Sequence, residues 1–199
     1  SGLTVIKREK NRRRSRVTVG DSSSASGLAL RYFRQTAELF GNNLYLDSMP
    51  DLSDQDGSLT LDSFREQICK CVKCPLGHTR IKFVFGVGDP HADLVFVGEA
   101  PGRDEDLQGE PFVGRAGQLL DKILAAIKRS RDEVYICNIL KCRPPENRTP
   151  HQNEIESCMP FLEQQLNIIK PKLIVALGAT SAHALLKVKT PLGKLRSQK

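Results

Sequence analysis

Three short apolar runs separated by helical patterns constrain this chain more than any other feature. Asp93-Leu94-Val95-Phe96-Val97-Gly98, Glu133-Val134-Tyr135-Ile136-Cys137-Asn138 and Lys172 to Leu177 each read as a buried strand. Between the first two, Gly117 to Lys128 places Leu119, Leu120, Ile123, Leu124 and Ile127 at helical spacing. Thr149-Pro150-His151-Gln152 reads as a capping-box start with proline at the first helical position. The helix that it opens should run towards Lys170 with a kink at Pro160. After the third strand come Gly178 and a helix of small residues through Leu186. Strand–helix–strand alternation predicts a parallel α/β sheet. Three parallel strands make a thin sheet, so a fourth is expected to be missing or supplied differently.

The chain has 199 residues, enough for one domain with a sizeable core plus tails. The globular body is expected over 61–199, opened by a helix from Leu61 to about Lys70 with Thr60 or Asp62 as its cap. Residues 1–60 read as a flexible N-terminal extension. Within it lie the basic run Lys7-Arg8-Glu9-Lys10-Asn11-Arg12-Arg13-Arg14, a Ser-rich linker at 21–27, a short amphipathic helix at 28–40 and an Asp-, Ser- and Gly-rich linker at 41–60. No run of about eighteen apolar residues offers a membrane span, and no signal-peptide core is visible. The expected location is intracellular, in cytoplasm or nucleoid. It would be an organelle if the basic arm is the remnant of a transit peptide.

The formal net charge of +7 divides unevenly. Residues 1–35 carry +7, residues 36–68 carry −6 and residues 69–199 carry +6. A basic body fits a polyanionic partner, and it equally fits a soluble surface rich in lysine.

Six cysteines occur, at 69, 71, 74, 137, 142 and 158. Cys71-Val72-Lys73-Cys74 aims two thiolates at one point, as metal centres need. Cys142 lies in a Pro-rich loop and Cys158 on the helix that follows it. Four thiolates fit either zinc or an iron–sulfur cluster. Cys137 sits inside a strand and reads as a small buried apolar residue. Cys69 is a spare or a competing ligand.

Ligands of open α/β sheets bind at the carboxyl ends of the strands. After the first strand, residues 98–117 pack carboxylates, glycines and Phe112 into one loop. The glycine spacing matches neither a Walker loop nor a dinucleotide fingerprint. Asn138 ends the second strand, and its amide offers a donor beside an acceptor, which suits a base edge. Lys141, Arg143 and Arg148 follow among rigid prolines, placed to touch phosphates or to frame a cluster.

Several ordered motifs carry a resemblance over about residues 64–196. They are Gly98-Glu99-Ala100-Pro101-Gly102, the Glu105-Asp106 pair, Pro111-Phe112-Val113-Gly114-Arg115-Ala116-Gly117-Gln118-Leu119-Leu120, Asn138-Ile139-Leu140-Lys141-Cys142-Arg143-Pro144-Pro145, Asn147-Arg148-Thr149-Pro150 and Ala176-Leu177-Gly178-Ala179-Thr180. Together they resemble family 4 uracil-DNA glycosylases, the iron–sulfur class. The resemblance implies a three-layer α/β/α glycosylase fold and a [4Fe-4S] cluster held by Cys71, Cys74, Cys142 and Cys158. It implies hydrolysis of the N-glycosidic bond of uracil flipped out of single- or double-stranded DNA. Phe112 would stack on the base and Asn138 would pair with its O4 and N3–H, with Ala100 and Gly102 beside it. Glu99 would stabilise the cationic sugar or hold water, and Glu105 would wall the pocket near C5. Ala100 stands where the best-known relative family has Asp. Gly114, Arg115 and Arg148 would meet the DNA.

Members of that family continue with a further strand and a His-Pro motif, which donates a hydrogen bond to uracil O2. None of His78, His91, His151 and His183 matches it, so the domain is expected to be C-terminally incomplete. Losing such a donor costs a factor of about 10²–10³ in rate. A second reading follows, a non-catalytic iron–sulfur protein that uses the fold to bind nucleic acid or to join an assembly. The N-terminal extension would then be a place to dock a protein.

Overall fold

The computed structural model describes residues 59–188, positions 190, 191 and 193, and the backbone of 3–7 and 44–45. The helix expected over 28–40, the arginines of the basic run and the Ser-rich linker lie outside the described residues.

The three expected strands form and lie parallel. They are β4 (Leu94–Gly98), β5 (Tyr135–Asn138) and β6 (Leu173–Leu177), with β4 paired to both others. Three further strands complete a mixed sheet. β3 (Val87–Gly88) runs antiparallel to β5. β1 (Leu3–Lys7) runs antiparallel to β6, and β2 (Leu44–Tyr45) runs parallel to β1. The order across the sheet is β2-β1-β6-β4-β5-β3. A short strand from the segment read as an extension thus flanks β6.

Side-chain alternation along the parallel strands explains the layers. Val95, Val97, Tyr135, Cys137, Ile174 and Ala176 enter one core. Phe96, Ile136 and Val175 enter a second, on the opposite face. Helices cover both. α1 (Leu61–Ile68), α5 (Gln152–Ile169) and α6 (Ala179–Leu186) contribute to the first core. α4 (Arg115–Ala126) contributes Leu120 and Leu124 to the second. Phe96 and Leu124 are 1% exposed, and such burial stabilises by about 1.5–3 kcal/mol per side chain. The three-layer α/β/α reading holds.

Local chemistry sets the helix ends. Thr60 caps α1: its Oγ1 accepts from the Ser63 N–H at 3.2 Å, and the Thr60 N–H donates to Ser63 Oγ at 3.1 Å. α5 starts two residues later than the Thr149-Pro150 signal implies. Its cap is His151, whose N–H donates to the Glu154 carboxylate at 2.8 Å. Pro160 lies on the exposed side of α5 and does not interrupt it. Two short helices escaped the sequence reading, α2 (Leu76–Thr79) and α3 (Arg103–Gln108), the latter inside the Gly-rich loop.

Candidate base-binding cleft and cysteine site

A cleft of about 240 Å³ opens at the carboxyl ends of β4 and β5. Among the residues expected there, Glu99, Ala100, Gly102, Glu105, Phe112, Asn138 and Arg148 line it. Pro101, Ala116, Pro144 and Asn147 complete the lining. Arg115 stands outside the cleft, exposed at the first position of α4.

Asn138 ends β5 and is 2% exposed. Its Oδ1 is buried without a hydrogen-bond partner among the described residues. A buried amide oxygen without a partner costs about 1–3 kcal/mol, so it marks a place where a ligand donor belongs. Backbone bonds fix the strand end: the Ile139 N–H donates to Gly98 O at 3.0 Å and the Leu140 N–H to Glu99 O at 3.1 Å.

Phe112 lies over Gly98 and beside Asn138. A Cβ at Gly98 would stand 2.6 Å from Phe112 Cζ and would overlap Asn138 Oδ1. Only glycine leaves room for that ring and that amide together. Phe112 itself adopts φ 56°, a conformation rare for a bulky residue. The surroundings hold it there. Arg131 donates to Phe112 O at 3.0 Å, to Pro111 O at 2.8 Å and to Asp121 at 2.8 Å. Arg131 lies far from this loop in sequence, and no local motif announces it.

The Glu105-Asp106 pair divides its work. Glu105 Oε1 accepts from the Val113 and Gly114 N–H groups, and Oε2 from Gly102, each at 3.0 Å. Both oxygens are thus engaged with backbone, which is the geometry of a strut holding the loop closed. Asp106 is buried on the other side and accepts from the Ile81 N–H at 2.9 Å.

Arg148 reaches the cleft rim, but Glu154 holds its guanidinium through bonds of 2.9 and 2.7 Å. That pairing, with the His151 N–H, holds the Glu154 carboxyl below its ordinary pKa against the opposing effect of burial. The lowered folded value means that this pair stabilises fully above the ordinary carboxylate range. The contribution is lost as pH falls through the lower, folded value. Glu154→Gln should therefore flatten the acid limb of a plot of Tm against pH. An unchanged acid limb would remove Glu154 from this account.

Burial settles one of the two roles expected for Lys141. It is fully buried, so it touches no phosphate; its Nζ donates to Asn138 O at 2.8 Å and to Gln165 Oε1 at 2.5 Å.

Cys142 and Cys158 are buried in the first core, and Cys71 and Cys74 pack against it. Arg80 straps the group together. It donates to Cys71 O at 2.6 Å, to Cys69 O at 2.9 Å and to Cys142 Sγ at 3.4 Å. Burial raises the Cys142 thiol pKa, opposed by the Arg80 bond, and pushes the Cys158 thiol up to about 11. Cys69 turns back on α1, its Sγ donating to Glu66 O at 3.4 Å. Cys137 is fully buried within β5, as its position predicts. No three His, Cys, Asp or Glu side chains among the described residues are close enough to cage a single ion. Cys71, Cys74, Cys142 and Cys158 are all free thiols, and in ligand type and number they suit a cluster.

No helix among the described residues is long and apolar enough to cross a membrane.

Comparison with known proteins agrees with this geometry. The profile of the uracil DNA glycosylase superfamily matches residues 85–198. The Type-4 uracil-DNA glycosylase of Archaeoglobus fulgidus is 53% identical over 124 residues, 62% of this chain and 62% of that protein. The Type-4 enzyme of Pyrobaculum aerophilum is 48% identical over 130 residues, 65% of this chain and 66% of that protein. The Type-4 enzyme of Thermotoga maritima is 52% identical over 116 residues, 58% of this chain and 60% of that protein. The chain thus spans about three fifths to two thirds of the length of these relatives.

Proposed function

Because this chain belongs to the uracil DNA glycosylase superfamily, we propose that it hydrolyses the N-glycosidic bond of uracil in DNA, as a base-excision repair enzyme. The observation that carries the reading is the unpartnered Asn138 Oδ1, buried beside the Phe112 ring in a cleft at the strand ends. A cleft of about 240 Å³ is small beside the roughly 300–1,000 Å³ of ordinary ligand sites, and suits a single flipped base.

Phe112 offers its face to the base. Asn138 Oδ1 accepts from uracil N3–H while its NH₂ donates to O4. Cytosine presents the opposite pattern at both atoms and is refused. As the C1′–N1 bond breaks, the sugar gains positive charge and the base negative charge. Glu99, on the cleft wall, would stabilise the cation or hold the attacking water. Glu105 and Arg131 act as positioning residues, because both are bonded to the loop that presents Phe112.

Cys71, Cys74, Cys142 and Cys158 would hold a [4Fe-4S] cluster. Held by these four residues, it would tie the turn at 71–74 to the loop after β5 and to α5. The +6 balance over 69–199 favours attraction to DNA phosphates, weakened by salt.

The test is excision from a uracil-containing oligonucleotide by protein purified without air, with iron and sulfide measured. Abasic product from uracil but not from cytosine is the expected result. A folded, cluster-bearing protein that releases no uracil would overturn the enzymatic reading. It would favour a nucleic-acid-binding or assembly subunit of the same fold.

A further inference from the structure

The buried side of α5 is apolar through its second half, at Phe161, Leu162, Leu166 and Ile169, except at Gln165. Gln165 is 0% exposed, and its amide is fully engaged. Nε2 donates to Phe85 O at 3.0 Å and to Tyr135 Oη at 3.1 Å, while Oε1 accepts from Lys141 Nζ at 2.5 Å. The Phe85 carbonyl can only accept and the lysine can only donate, so a single orientation of the amide satisfies both. An apolar side chain of similar shape would avoid the cost of burying an amide here. Gln165 does not line the cleft, and base recognition does not account for it.

The bonds around Gln165 form a closed ring. Gln165 holds Phe85 O, the neighbouring Val84 N–H donates to Lys141 O at 2.9 Å, and the Lys141 side chain returns to Gln165. One bond leaves that ring toward the cleft: Lys141 Nζ donates to Asn138 O at 2.8 Å. The Asn138 amide has no slack in its seat. A Cβ at Gly98 would overlap its Oδ1, and the Phe112 ring lies against the same glycine. A shift of the strand end therefore misaligns the amide with the base edge, and misplacement by about 1 Å costs about 10²-fold in rate.

We propose that Gln165 is a positioning residue for the base-reading amide, acting through Lys141 on the Asn138 carbonyl. The inference rests on the reading of Asn138 as the group that selects uracil. Gln165 fixes the end of β5 against α5 and the segment at 84–85. Its effect falls on the rate once the base is bound, and not on the attraction between protein and DNA phosphates.

The test is a double-mutant cycle of Gln165→Met, Asn138→Ala, the double variant and the parent protein. Single-turnover uracil release is measured against DNA concentration. Hydrogen exchange is measured at the Ile139 and Leu140 N–H groups, which bond the strand end to Gly98 and Glu99. Methionine keeps the length of the side chain and removes the amide. Gln165→Met should lower the maximal rate about tenfold and leave the half-saturating DNA concentration unchanged. Ile139 and Leu140 should exchange about tenfold faster, while the β4–β6 ladder stays as protected as in the parent. In the Asn138→Ala background, Gln165→Met should cost nothing further, because the group that it positions has gone.

A merely structural glutamine lowers the rate by the same factor in both backgrounds and loosens both sets of amides. That pattern overturns the proposal, as does a parent-like rate with parent-like exchange in Gln165→Met. Should Gln165→Met not fold, Lys141→Met enters the same cycle, and equal losses with and without Asn138 overturn the relay. Should the parent release no uracil, the glycosylase reading falls. Exchange at Ile139 and Leu140 then still decides whether Gln165 holds the strand end, and parent-like exchange in Gln165→Met removes that role as well.

Discussion

Asn138→Asp is expected to lower uracil excision by at least about 10²-fold and to admit cytosine as a substrate. The amide is the one group in the cleft that offers a donor and an acceptor side by side from a rigid strand end. Its position is set by backbone bonds from Ile139 and Leu140 to the β4 strand end, and by Lys141 on its own carbonyl. An ionised carboxylate there accepts but cannot donate to uracil O4. Burial favours the protonated form of such an acid. A protonated carboxyl can donate to cytosine N3 and accept from its N4 amine, so it admits the base that the fixed amide refuses. Single-turnover cleavage of otherwise identical uracil and cytosine oligonucleotides reads both effects. Undiminished uracil release would mean that the base is read elsewhere.

What the sequence disclosed, and what it withheld, follows from the range of the interactions. The β4, β5 and β6 strands were visible because each is a continuous apolar run, buried on both faces, whose pattern owes nothing to distant residues. Asn138 was legible because strand ends are where such folds bind ligands. The α3 helix was not, because its six residues are nearly all polar and carry no apolar period. Its evidence lies in three dimensions, in Glu105 bonding Gly102, Val113 and Gly114.

The burial of Lys141 was hidden for a related reason. A lysine in a loop with two arginines can touch phosphates or frame a cluster, and its burial rests on partners that the loop does not announce, the Asn138 carbonyl and Gln165 on α5. Arg131 is likewise silent in sequence, since its partners Pro111 and Phe112 are about twenty residues away. The β1 strand was read as part of a tail, because an edge strand depends on the register open on its neighbour. Its five backbone pairs to β6 belong to both segments.

A second substitution with a large expected effect sits where no side chain exists. Gly117 lies in the first turn of α4, and a Cβ there would overlap the Phe112 carbonyl and stand 3.1 Å from Phe112 Cα. The obstacle is backbone, so no rotamer change relieves it. Phe112 is already held at φ 56° by two bonds from Arg131 to its own and the preceding carbonyl. Gly117→Ala must therefore move either the helix or the turn. Displacing a stacking residue by about 1 Å is enough to cost about 10²-fold in rate.

Gly114→Ala, three residues earlier, is the control. Its Cβ would meet Asp104 Oδ2 at 2.9 Å and Glu105 Oε1 at 3.4 Å, and the former can swing aside. We expect Gly117→Ala to lose excision by about 10²-fold with a Tm several degrees lower, and Gly114→Ala to lose far less. Equal losses would imply that the loop, rather than the Phe112 turn, limits the reaction. Parent-like activity in Gly117→Ala would mean that the ring need not be held in place for the base to be released. The stacking role would then fall, whatever Asn138 does.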